Sequence, residues 1–331
     1  MSSPLVASSP RGSTDVTWPT LGRLALLGVL WGTTFPVVRM GVAAGAPPFL
    51  LVAVDLLLAA GLMAVLSLSL RSAPPTPRHV LGSMALGAMM IGGNNLFLFW
   101  GVQFTTGGVA AVVYATAPLL AVLAAFGIGA GERMQRGSVV ALAVGLIGVI
   151  LLGLTATGTT LVTNGWGVVA LFAGAGSQAV GSVLVMKYRP SGEYRYGQSA
   201  QFAGGGLAAL FVVLAAGERF VLPATAPVIA SVLYFAIGSG IAGYTLYFGL
   251  LRRSGAVVAN LVTYVNPLVA LAVGVLVLGE ATGPSELLGL GVILGALVLL
   301  HFTTRKPTAA GAPSPPPPTA PTLISARSPR S

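Results

Sequence analysis

Residues 101–132 read GVQFTTGGVAAVVYATAPLLAVLAAFGIGAGE, and residues 249–280 read GLLRRSGAVVANLVTYVNPLVALAVGVLVLGE. Gly101, Gly107, Pro118 and Glu132 of the first recur as Gly249, Gly255, Pro267 and Glu280 of the second, at offsets of 148, 148, 149 and 148 residues. The chain therefore carries an internal duplication, and the fold follows from what one copy contains.

Working outward from these stretches, apolar runs recur along nearly the whole chain. Of 331 residues only 24 are charged, 17 Lys or Arg against 7 Asp or Glu, while apolar types make up 55% and Gly adds 45. A soluble chain carries roughly a quarter charged residues, so lipid is the main solvent here. A spanning helix needs about 20 apolar residues. Charges, Pro and polar clusters then divide the chain into spans near 20–42, 47–70, 79–102, 107–128, 137–154, 166–187, 197–217, 226–251, 255–279 and 284–302. These predict an all-α integral membrane protein with ten transmembrane helices, five per copy. Because five is odd, the second copy enters the bilayer from the opposite side, which predicts two inverted five-helix repeats about a pseudo-two-fold axis in the membrane plane, a transporter architecture.

The expected organisation is a polar segment 1–19, a first repeat 20–154, a second repeat 166–302 and a Pro-rich disordered tail 303–331 containing Pro315 to Pro318. The first segment lacks a cleavable signal pattern, so the first span directs insertion. Basic residues in short loops stay cytoplasmic. Fifteen of the 17 Lys and Arg fall on one side of the ten-span partition and only Arg39 and Arg219 toward the other, which predicts both termini in the cytoplasm of a multi-pass plasma-membrane (bacterial inner-membrane) protein. This bias accounts for the net charge of +10 without a nucleic-acid partner. There is no Cys, and His79 and His301 are the only histidines, so neither a metal site nor a cofactor is expected. No Gly-x-x-x-x-Gly-Lys sequence points to ATP hydrolysis. The spans hold essentially one carboxylate, Asp55, so the enzyme reading, a membrane-embedded transferase, lacks its catalytic groups.

Trp31-Gly32-Thr33-Thr34-Phe35 in the first span, Pro118 followed by Gly131-Glu132 in the fourth, and Pro267 followed by Gly279-Glu280 in the ninth resemble the EamA-type transporters of the drug/metabolite transporter superfamily. The resemblance covers roughly residues 20–302. It implies a ten-helix metabolite transporter, often an exporter of amino acids or related solutes, with a cavity lined mainly by spans 1, 3, 4, 6, 8 and 9. Many members have Arg early in the second span, where this chain reads Ala53-Val54-Asp55-Leu56.

A charged group at the centre of a spanning helix costs about 2.5–3.5 kcal/mol on insertion scales, so an intramembrane charge needs a partner, a cavity or a task. Asp55 lies about eight residues into span 2, roughly 12 Å below its outer end at 1.5 Å per residue. Three readings stand for it: an ion pair with Arg39 of span 1, direct binding of a coupling proton or a cationic substrate, or a lone charge snorkelled toward the interface. In span 9, Asn260, Thr263, Tyr264 and Pro267 follow i, i+3, i+4, i+7 spacing and form one polar stripe, either cavity lining or interhelical glue. Pro267 and its repeat mate Pro118, with Tyr114 one turn before Pro118, are expected to kink spans 9 and 4. Further candidates for the substrate cavity are Trp31 and Thr34 in span 1, Asn94 and Asn95 in span 3, Gln178 in span 6 and Tyr244, near Tyr247, in span 8. Gly204-Gly205-Gly206 reads as close helix packing or a bending point, and Glu132 and Glu280 as helix-end anchors or gates. Together these predict a secondary transporter of a small-molecule substrate, working by alternating access among membrane lipids with no oligomer required. A passive facilitator or channel of the same fold is the competing reading.

Overall fold

The computed structural model describes residues 17–70, 75–105, 113–129, 136–155, 165–188, 194–266 and 284–304, with positions 110, 268, 269 and 272. Every regular element longer than an isolated bridge is helical among these residues. The helices in chain order are α1 (Trp18–Gly32), α2 (Thr34–Ala43), α3 (Pro48–Ser69), α4 (Pro77–Gly87), α5 (Asn94–Gly101), α6 (Ala117–Ile128), α7 (Arg136–Thr155), α8 (Gly165–Tyr188), α9 (Tyr194–Ala216), α10 (Ala226–Leu233), α11 (Tyr244–Asn260) and α12 (Pro284–Thr304). Two wider π-helical turns, Ala88–Gly93 and Tyr234–Gly243, join α4 to α5 and α10 to α11. Five continuous helical stretches, Pro48–Ser69, Pro77–Gly101, Gly165–Tyr188, Arg195–Ala216 and Ala226–Asn260, are long and apolar enough to cross a membrane. Helices suit that setting because each closes its own backbone hydrogen bonds where no water can.

Local chemistry sets where helices start and break. α1, α3, α4, α6 and α10 each carry Pro in the first turn, where a missing N–H leaves no bond unmade. Pro118 belongs to this group. Instead of kinking a continuous span 4 it opens α6, just after the turn at Ala115 and Thr116. Pro267, its repeat mate, lies outside the described residues. Span 1 is broken at Thr33, whose hydroxyl donates back to the Val29 carbonyl at 2.9 Å, while Pro36 supplies no N–H to the turn beyond.

The outer faces are apolar: Phe126 is 88% and Phe211 71% exposed, as suits side chains that meet lipid. Inside, small residues let helices approach closely, the mode of packing that operates when lipid is as apolar as the core. A Cβ on Gly204 would stand 2.0 Å from the Met84 carbonyl oxygen, and one on Gly87 would stand 2.0 Å from that of Gln201. Only glycine allows this α4–α9 contact, so the Gly204 cluster is a packing surface.

The contacts repeat in both halves. α3 runs along α9 and α7 along α12, each pairing a helix with its counterpart from the other copy. α4 and the first π turn lie on α9, as α10 and the second π turn lie on α3. α5 packs on α8, as the second π turn packs on α1. One further tie crosses the halves. Glu218 accepts the backbone N–H groups of Phe49 at 3.2 Å and Leu50 at 2.9 Å, placing a carboxylate at the positive N-terminal end of α3.

Candidate functional site

Where the halves meet, the structure forms a half-open cavity walled by Trp31, Thr34, Asn94, Asn95, Leu98, Tyr114, Gln178, Ser239, Tyr244, Thr263 and Asn266. No wall residue carries a charge. Its volume is about 40 Å³, enough for about three waters at 10–15 Å³ each.

Each half supplies one π turn ending at this cavity. The first leads into Asn94 and Asn95, the second into Tyr244. Such wide turns interrupt the regular ladder and are concentrated at functional sites. Asn94 accepts the Tyr114 hydroxyl on Oδ1 at 3.0 Å, and Asn95 donates to the Ile91 carbonyl at 3.0 Å. Opposite them Trp31 donates Nε1–H to the Ser239 carbonyl at 3.1 Å, and Thr34 lies 3.5 Å from the Ser239 hydroxyl. The indole is stacked against Tyr244 edge-on and Tyr247 at a tilt, both with centroids 5.2 Å away. Gly243 makes room for it, since a Cβ there would come within 2.5 Å of Nε1.

The polar stripe expected on span 9 is divided. Gly255 adopts φ 85°, ψ 171°, which re-aims the chain between the eighth and ninth spans. Thr263 and Asn266 then reach the cavity, while Asn260 and Tyr264 do not line it. Asn260 is fully buried in a knot of side chains: its Nδ2 donates to Ser182 Oγ at 3.1 Å and the Ala256 carbonyl at 2.8 Å. Its Oδ1 accepts from Gln178 Nε2 and the Tyr247 hydroxyl, both at 3.3 Å. Tyr264 turns the other way and donates to the Leu142 carbonyl of α7 at 2.6 Å. Both are thus helix–helix ties. Asn266 is buried with no partner for Oδ1 among the described residues.

Trp31, Thr34, Asn94, Asn95, Tyr114, Gln178, Tyr244 and Thr263 are brought together around the one cavity; Leu98, Ser239 and Asn266 are additions that the sequence reading passed over. Ser239 is hidden inside a run of small residues, and Leu98 looks like any core leucine. Asn266 carried a usable signal, one turn beyond Thr263 and next to Pro267. Asp55 is buried away from the cavity wall, and its Oδ1 has no partner among the described residues. The Arg39 side chain, Glu132 and Glu280 lie outside the described residues.

Lipid-facing helices, built twice around a neutral polar cavity, define an integral membrane protein with an internal duplication. The EamA-like transporter family matches residues 21–154 and again residues 165–302, and the chain belongs to that family. It is 32% identical over 300 residues to the uncharacterized inner membrane transporter YedA of Escherichia coli, covering 88% of this chain and 95% of that one. It is 30% identical to protein PecM of Dickeya dadantii, with 84% and 92% covered. A probable terminal-alkyne amino-acid exporter of Streptantibioticus cattleyicolor is 27% identical, with 85% and 93% covered. A solved crystal structure at 22% identity shares the fold with a TM-score of 0.70, over 87% of this chain and 98% of its own.

Proposed function

We propose that this transporter carries amino acids or related small solutes out of the cell across the inner membrane, by alternating access about the cavity between its halves. The observation that carries the reading is that cavity: both copies contribute to its wall, each through a π turn, and its polar groups are neutral donors and acceptors among aromatic faces. Such a lining suits a zwitterion or neutral amphipathic solute, which needs no full counter-charge from the protein. The small volume favours a carrier that opens to one side at a time over a standing pore. Membership of the transporter family and the amino-acid exporter among the relatives support the same class.

The reading includes ten spans as inverted repeats with both termini inside, supported by the fifteen-to-two basic asymmetry and the paired contacts of the halves. The chain has no native cysteine, so single introduced cysteines report sidedness directly. Position 191 should be protected from outside reagents and position 160 labelled; the opposite pattern rejects the orientation. Transport itself is tested by counterflow of labelled amino acids in proteoliposomes. Trans-stimulated exchange supports the carrier, whereas equal fluxes without trans-stimulation would make it a passive facilitator.

A further inference from the structure

The acceptor oxygens left without partners among the described residues are Oδ1 of Asp55, Oε1 of Gln201 and Oδ1 of Asn266. Asp55 stands apart because it is an acid. It is only 4% exposed in the middle of α3, a helix otherwise free of charge. A carboxylate in such a place, with the backbone N–H of Leu56 as its one donor and no cation beside it among the described residues, is costlier than a carboxylic acid, because the ion loses its hydration and regains little. We propose that Asp55 is a proton-binding site, holding a proton in the arrangement seen here and releasing it to water when the cavity widens. The step is a simple dissociation: the carboxyl O–H bond breaks, the proton passes to a water molecule, and the carboxylate remains.

The surroundings give this site a route to the cavity. α3 packs on the second π turn, which carries Ser239 and leads into Tyr244, and on α5, which carries Asn94 and Asn95, all of them at the cavity wall. A shift in the second π turn therefore changes the water and dipoles around Asp55 at the same time as the cavity wall. Among neighbouring elements, α5 and α10 bear no titratable side chain, the second π turn bears Tyr234, and α9 bears Tyr194, Arg195 and Tyr196 at its N-terminal end. Glu218 sits at the far end of α3, bound to the N–H groups of Phe49 and Leu50. On α2, Gly41 approaches Leu51, two residues before Arg39's own turn closes.

Sequence makes the test clean, since Asp15 in the polar N-terminal segment is the only other aspartate. Infrared spectra of the full chain in lipid, grown with carbon-13 aspartate, should show the carbonyl band of a protonated carboxylic acid that shifts with the label at neutral pH and is lost in Asp55→Asn. A spectrum with no label-sensitive band means an ionised Asp55, as a pair with Arg39 would require, and overturns the proposal without any variant having to fold. The second arm reads opening through a single reporter, Leu98→Cys, reacting with a water-soluble maleimide. Its rate relative to the same reporter in Asp55→Asn should rise with pH, by up to tenfold per pH unit, the limit for one linked proton. Asp55→Glu should keep the rise. A ratio independent of pH denies the coupling even where the band is present. Neither arm needs a solute, so either can fail while amino-acid counterflow succeeds.

Discussion

At Asn260 every hydrogen-bonding group of the amide has a partner, whereas Asn266, six residues on in the same segment, holds a buried Oδ1 without one. The first closes a knot tying α11, on both sides of its Gly255 kink, to α8. The second faces a space with room for only a few waters. Satisfaction separates the two residues: a saturated network rigidifies its helices, while the Asn266 oxygen is left with an acceptor to spare at the cavity wall. Gln178 belongs to both knot and wall, donating to Asn260 while lining the cavity.

The largest expected effect lies in the knot. Asn260→Leu removes four hydrogen bonds, to Ser182, Gln178, Tyr247 and the Ala256 carbonyl, and takes from the buried Gln178 amide its bond to Oδ1. At about 0.6 kcal/mol for each of the two bonds to α8, with the cost of the buried Gln178 amide added, the loss should be about 3 kcal/mol. Thermal unfolding in detergent measures it, and a cost no larger than that of a cavity variant would erase the distinction between the regions.

Asn266→Leu should do the reverse. Removing an acceptor that has no partner among the described residues should leave the melting temperature unchanged or raised, while solute affinity falls about tenfold, or about 1.4 kcal/mol. Ligand-induced thermal shift with the solute found by counterflow checks both. A destabilised protein of normal affinity would mean that Asn266 is structural.

A smaller effect is expected at Tyr114→Phe, which deletes the 3.0 Å bond to Asn94 across the cavity wall. Stability should drop by about 0.6 kcal/mol, and the freed Asn94 amide should change the ranking of solutes more than the maximum rate. An unaltered ranking would place this pair outside the binding surface.

Ser239→Ala should matter least. Trp31 bonds to the Ser239 carbonyl, and the hydroxyl contact with Thr34 is long at 3.5 Å, so stability should change by less than about 0.5 kcal/mol. A larger loss would show that the Thr34 contact is stronger than its length suggests.

Much of the architecture was legible because it rests on one-dimensional signals. Apolar runs mark helices wherever backbone groups have no water to turn to, and the recurrence of Gly101, Gly107 and Glu132 as Gly249, Gly255 and Glu280 shows the duplication without coordinates. The site was legible in its residue types, since polar side chains at depth need partners. Their directions were not. Asn260, Thr263 and Tyr264 share one stripe on an ideal helix, yet they go to the knot, the cavity and α7, respectively.

Composition and hydropathy determine that this chain lives in a membrane, and its repeated motifs determine that it is built twice, because the cost of burying charge and backbone in lipid acts on each segment separately. Which polar groups become glue and which become wall was decided only in three dimensions. A left-handed Gly255, two π turns and the close approach of glycine backbones re-aim side chains by fractions of a helical turn. Whether an amide is satisfied depends on neighbours some 80 residues away, as between Asn260 and Ser182, and no local pattern encodes that pairing.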